Sequence, residues 1–125
     1  MNLELERAKS ALAAIQVELH QPNGYGNYRS YCEGLPATVL MNGLGQALAM
    51  LLAKVDKHPE KKRFYEAISH WVTERVWGSS VPQLLERIVN SDQNKYVQAH
   101  AETLAYLGWL KKFSAAYLEK REEED

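Results

Sequence analysis

The sequence predicts an all-α protein, a single compact bundle of five to seven helices over residues 1–125, with an acidic tail at about 121–125. Apolar residues recur at steps of three and four along most of the chain, which is the period of an amphipathic helix. No stretch of useful length alternates apolar and polar residues as a half-buried strand would. The run from Gly34 to Ala53, GLPATVLMNGLGQALAMLLA, carries no charge, although 25% of the chain is charged. A helix apolar over most of its circumference either spans a membrane or sits inside a bundle. Pro36, Asn42, Gly43, Gly45 and Gln46 argue against lipid, because the Leu/Ala-rich part after Leu44 is about half the ~20 apolar residues a span needs. Pro36–Ala53 is therefore expected at the centre of the bundle, with Thr38, Asn42 and Gln46 forming one polar stripe if the helix is continuous.

The elements follow in order. Leu3, Leu5, Ala8, Leu12, Ile15 and Leu19 mark a first helix capped near Asn2, and Gln21-Pro22-Asn23-Gly24 ends it. Tyr25, Tyr28 and Tyr31 come next at helical spacing. Pro36 disfavours helix at Leu35, which predicts a break or kink there, and Asn42-Gly43 is either a second break or a close-packing point. Asp56 to Glu60 reads as a loop, with Pro59 in the first turn of a helix that carries Phe64, Tyr65, Ile68, Trp71, Val72 and Val76. Gly78-Ser79-Ser80 ends that helix. A short helix from Pro82 to about Asn90 is expected to bury Leu84, Leu85, Ile88 and Val89. Ser91 is the expected cap of the last helix, Asp92 to about Lys120, with Tyr96, Val97, Leu107, Trp109, Leu110, Phe113 and Tyr117 among its apolar set. Trp109 is expected to pack in the core.

A 46% hydrophobic content over 125 residues allows one respectable core. Met1 to His20 contains no apolar block of the signal-peptide kind. Cys32, the one cysteine, cannot form an internal disulfide and fits a reducing, cytoplasmic setting. Glu122 to Asp125 contribute four negative charges, so a net charge of −1 leaves +3 on the rest of the chain. Such a body permits an anionic partner without requiring one.

Reactive side chains are present but do not converge. His70 and Glu74 lie one turn apart, yet the zinc-protease pattern needs a second histidine at that spacing. His100 and Glu102, two apart, point to different sides of a helix. Asn42-Gly43-Leu44-Gly45 lacks the preceding strand and the following Lys-Ser/Thr of a phosphate loop. Cys32 reads as a packed thiol. The chain is expected not to be an enzyme, to hold no metal or cofactor, and to take no small-molecule substrate and no membrane as partner. Two features suit binding. Lys54, Lys57, Lys61, Lys62 and Arg63 form a basic cluster, diluted by Asp56 and Glu60, which serves either as a solvated face or as a phosphate-binding one. Lys61, Lys62 and Arg63 are expected to be exposed. Tyr25, Tyr28 and Tyr31 suit base stacking, but their spacing is that of an amphipathic helix face.

The run from Tyr28 to Lys54 combines Tyr28-x-x-Tyr31, Leu35-Pro36-Ala37 and Asn42-Gly43-Leu44-Gly45-Gln46-Ala47-Leu48. In this it resembles the central signature of the small helical subunit of the Cmr complex, the type III-B CRISPR effector that silences RNA. Glu102, Leu104, Leu107, Trp109, Leu110, Lys112, Phe113 and Ala116 fit the same family's ending, and the helix through Glu6 to Ala14 fits its beginning. Residues from about His58 to Ser91 are the least diagnostic. The resemblance implies a compact α-helical protein without catalytic activity that serves antiviral defence. Its copies would stack as a minor filament, beside other Cmr subunits, and contact the guide RNA and target RNA backbone. Carried onto this chain, the role assigns RNA contact to Lys54, Lys57, Lys61, Lys62 and Arg63 and keeps the acidic tail away from nucleic acid. The competing reading is a helical protein–protein adaptor or self-associating scaffold with no RNA contact.

Overall fold

In a computed structural model of the protein, which describes residues 2–120, six α-helices and one 3-10 turn succeed one another with no strand among the described residues. The helices are α1 (Leu3–Leu19), α2 (Tyr28–Asn42), α3 (Leu44–Leu52), α4 (Pro59–Trp77), α5 (Leu84–Val89) and α6 (Gln93–Tyr117). The expected acidic tail lies outside the described residues. None of these helices is long and apolar enough to cross a membrane.

Local chemistry sets most boundaries. The Asn2 side chain accepts from the amides of Glu4 and Leu5, filling two of the open donors at the start of α1. Pro59 occupies the first turn of α4, where its missing N–H costs nothing. The cap of α6 is Asp92, whose carboxylate accepts from the Lys95 amide. Ser91, the expected cap, instead donates its hydroxyl to the Ile88 carbonyl.

The charge-free run departs from expectation in two ways. First, α2 continues through Pro36 without interruption. Proline removes the bond to the Cys32 carbonyl, at a cost of about 3 kcal/mol. Leu35 and Val39, buried on either side of it, hold the segment helical through their packing. The chain does break at Gly43, one of the two readings left open for Asn42-Gly43; Gly43 closes α2 and opens α3 at φ 84°, ψ 160°, a conformation open essentially to glycine. The Tyr96 hydroxyl accepts from the Gly45 amide at 3.1 Å, supplying the cap that Gly43 has no side chain to provide.

Second, the run is not the centre. α6 packs on α1, α2 and α4, and so occupies that place. The inner side of α2–α3 is buried through Leu35, Val39, Leu44, Ala47, Leu48 and Leu51. Its outer side exposes Leu40 (69%), Met41 (83%) and Met50 (56%). Val89 and Val97, also expected inside, are exposed as well. Trp109 is half-buried, stacked on Phe113 with ring centroids 5.4 Å apart, and its Nε1 donates to Glu4 Oε1 at 2.7 Å.

One polar cluster ties the first and last helices together. Arg7 donates from Nε and Nη2 to both oxygens of Glu102, at 2.6 and 3.0 Å, and Trp71 Nε1 adds a third bond at 3.0 Å. Tyr106 stacks on Trp71 and shares a hydrogen bond with Ser10.

Candidate nucleic-acid interface

The basic cluster sits where α3 hands over to α4. Leu52 ends α3, Lys54 turns the chain at φ 60°, ψ 24°, and Val55–Lys57 form the 3-10 turn before Pro59 starts α4. A non-glycine residue in the left-handed region is costly by about 1–2 kcal/mol. Lys54 is the one described residue other than glycine with positive φ. Lys54, Lys57 and Lys62 are exposed.

The other two cations, both expected exposed, have partners within the protein. Lys61 is half-buried, donates its ammonium to the Ala53 carbonyl at 2.9 Å and stands 5.8 Å from the Tyr31 ring centroid. Arg63 is turned toward α1. Its Nε and Nη2 donate to the two oxygens of Glu18 at 2.8 to 3.1 Å. A helix rotates about 100° per residue, so consecutive cations on one helix serve different faces. Burial pushes Glu18 above its ordinary carboxylate range even against the Arg63 hydrogen bonds, while Glu18 raises Arg63 and keeps it charged.

The acids that dilute the cluster divide the same way. Glu60 is buried, and its carboxylate accepts from the Asn27 amide and the Tyr31 hydroxyl, both at 3.2 Å. It thereby serves the start of α2, where negative charge is favoured. A Cβ on Gly26, which has φ +51°, would lie 2.5 Å from Glu60 Oε2, so only glycine lets the carboxylate reach this position. Asp56 remains exposed beside the lysines. The outward surface is therefore Lys54, Lys57 and Lys62 with one carboxylate.

The tyrosines belong to the interior. Tyr28 meets Phe64 edge-on at 5.3 Å, Tyr31 packs on the same ring at 5.9 Å, and the Tyr25 hydroxyl accepts from the Glu119 amide. Glu18 and Glu60 are the residues that sequence reasoning missed. Glu60 was read only as an acid diluting the cluster, and Glu18 was not singled out. The sequence signal for Glu60 was Gly26, where a side chain would meet its carboxylate.

Other reactive groups stay apart. Among the described residues no three His, Cys, Asp or Glu side chains converge as a metal site. His70 Nδ1 hydrogen-bonds the Ser80 hydroxyl rather than Glu74. Cys32 is fully buried, and burial pushes its thiol up to about 12, which leaves it protonated and unreactive.

Residues 3–117 match the family described as CRISPR-associated protein (Cas_Cmr5). The chain belongs to the Cmr5 family. Its fold is also similar to the crystal structure of a CRISPR-associated Cmr5 family protein from Thermus thermophilus. The TM-score is 0.76 and the identity 26%, over 95% of this chain and 100% of that one. Cmr5 proteins are small helical subunits of the Cmr complex, which bears out the resemblance carried by the Asn42–Leu48 motif. In that motif Leu44 and Leu48 are wholly buried, Gly43 makes the break, and Gly45 comes within 3.9 Å of Tyr96 and Ile88.

Proposed function

We propose that this protein is a non-catalytic filament subunit of a type III-B Cmr ribonucleoprotein. In this reading copies of the chain stack along the assembly and touch the guide and target RNA backbone without reading bases. The observation that carries it is the sorting of charge at the α3–α4 junction in a Cmr5-family chain. Lys54, Lys57 and Lys62 point outward while Glu60 is withdrawn to α2. Lys61 adds to the local potential from its place over Tyr31, and Arg63 contributes only the part of its field that Glu18 leaves uncancelled. Three lysines give weak, salt-sensitive binding to free RNA, and repetition along a stack raises it through avidity.

The test is a reconstituted complex carrying Lys54→Glu, Lys57→Glu and Lys62→Glu, titrated with target RNA at several salt concentrations. Affinity is expected to fall, and the salt slope to flatten by about 0.7 for each single-strand phosphate that the variant no longer neutralises. Unchanged affinity and slope would favour the adaptor reading. That reading draws its support from the exposed, uncharged outer side of α2–α3, which suits protein better than nucleic acid.

A further inference from the structure

Besides the outer side of α2–α3, this chain exposes two apolar surfaces of different shape. The first is concave. Gly45 and Ala49 on α3, Leu85 and Val89 on α5, and Tyr96 on α6 line an open groove of about 600 Å³. Val89 is 68% exposed beside it, and Glu86 is the one charged residue in its lining. Gly45 is already met by Ile88 and Tyr96 at 3.9 Å, whereas Ala49, one turn further on, is exposed and small enough to let another helix approach.

The second surface is a ridge on α1. Leu5, Leu12 and Leu19 recur every seven residues, so they line up along the helix. Leu5 is 65% and Leu19 41% exposed, and Leu12 is half-buried. Between them on the same line stand Lys9 and Gln16, both exposed. The two surfaces lie on different flanks, since α1 packs on α6 and α4 whereas α3 packs on α2, α4 and α5.

We infer that the groove receives the α1 ridge of a second copy of the chain, with Lys9 of that copy set against Glu86. This deepens the proposed stacking and rests on that reading. A ridge of one copy seated in the groove of the next leaves a groove and a ridge free at the two ends of the pair. Each added copy leaves one ridge and one groove open, so the contact is heterologous and propagates. Leucines spaced to fill a groove are the usual anchors when an amphipathic helix docks. The single carboxylate in the lining and the single lysine of the ridge set the register by opposite charge.

The test uses the assembled Cmr complex, with the copies of this chain counted by native mass spectrometry. A chain carrying both Lys9→Cys and Glu86→Cys should give, on mild oxidation, a ladder of covalent dimers and higher multimers. Either cysteine alone should give none, and Cys32 is buried and does not compete. Separately, Glu86→Lys should weaken stacking on the order of tenfold by opposing Lys9, and adding Lys9→Glu in the same chain should restore it. A complex with several copies but no ladder overturns the face assignment and leaves stacking intact. Dimers from a single cysteine would replace the heterologous contact with a twofold one. A complex holding one copy defeats the stacking reading and this inference with it.

Discussion

Arg63 grips both carboxylate oxygens of Glu18, a side chain 1% exposed at the inner face of α1. The pair joins α1 to α4 and removes Arg63 from the basic surface with which it is contiguous in sequence. A buried ion pair of this kind adds little net stability, yet removing one partner leaves the other charge uncompensated.

Arg63→Ala is therefore expected to destabilise the protein by about 3–5 kcal/mol, whereas Lys62→Ala stays within about 0.5 kcal/mol. Urea denaturation of the two variants checks this. Equal midpoints would show that Glu18 finds water or another donor. RNA-binding tests that include Arg63 would confuse unfolding with weakened RNA binding, which is why Lys62 is the informative neighbour.

The Arg7–Glu102–Trp71 cluster predicts an acid-side loss of stability. Burial opposes ionisation of Glu102, but the hydrogen bonds from Arg7 and Trp71 together outweigh it and lower the carboxyl below its ordinary 4.5. A group depressed in the folded state stabilises above its unfolded value and loses that contribution as pH falls through the folded one. The loss should begin near pH 4.5 and deepen below it. Glu102→Gln should cost about 1.5–3 kcal/mol at neutral pH and flatten the acid limb. Urea midpoints measured from pH 7 to pH 3 test both parts, and an unflattened limb would place the titration elsewhere.

Leu48→Asp should abolish folding. Leu48 is 0% exposed on α3, which packs on α2, α4 and α5, and an unpaired buried charge costs several kcal/mol. Met41→Asp, two residues before the Gly43 break and 83% exposed, should melt like the wild type. Circular dichroism of the pair separates the inner from the outer side of one charge-free run.

That contrast marks how far the sequence could be read. Helical period, the Asn2 cap, Pro59 and Gly78 placed the elements within a few residues, because those signals act through local backbone chemistry. Absence of charge did not distinguish Leu48 from Leu40, since the run is equally uncharged on its buried and on its exposed side. Of the two candidate breaks, Pro36 makes none because packing of Leu35 and Val39 outweighs a proline, and Asn42-Gly43 makes one because nothing but glycine takes the backbone angles at 43. Composition gave the basic cluster, but not which cations it keeps. Arg63 and Glu60 are turned inward by partners 45 and 33 positions away in sequence, Glu18 and Asn27.

Lys54 offers the sharpest test of function against stability. At φ 60° its backbone is strained by about 1–2 kcal/mol, a cost glycine does not carry. Glycine also loosens the unfolded chain, which offsets about 0.4–1 kcal/mol of the gain. Lys54→Gly should therefore raise stability by up to about 1.6 kcal/mol, and Lys54→Gln, which keeps the strain and removes only the charge, should leave it unchanged. If the α3–α4 junction contacts RNA, both variants should weaken target binding by the assembled complex to the same extent, with the deficit shrinking as salt rises. Thermal melts of the isolated chain and RNA titrations of the complex read the two effects independently. A stabilised Lys54→Gly protein that binds RNA as well as wild type would show that the lysine is tolerated at this turn rather than used there. Equal weakening in both variants, with the stability gain confined to glycine, would tie the strained position to RNA contact through its charge.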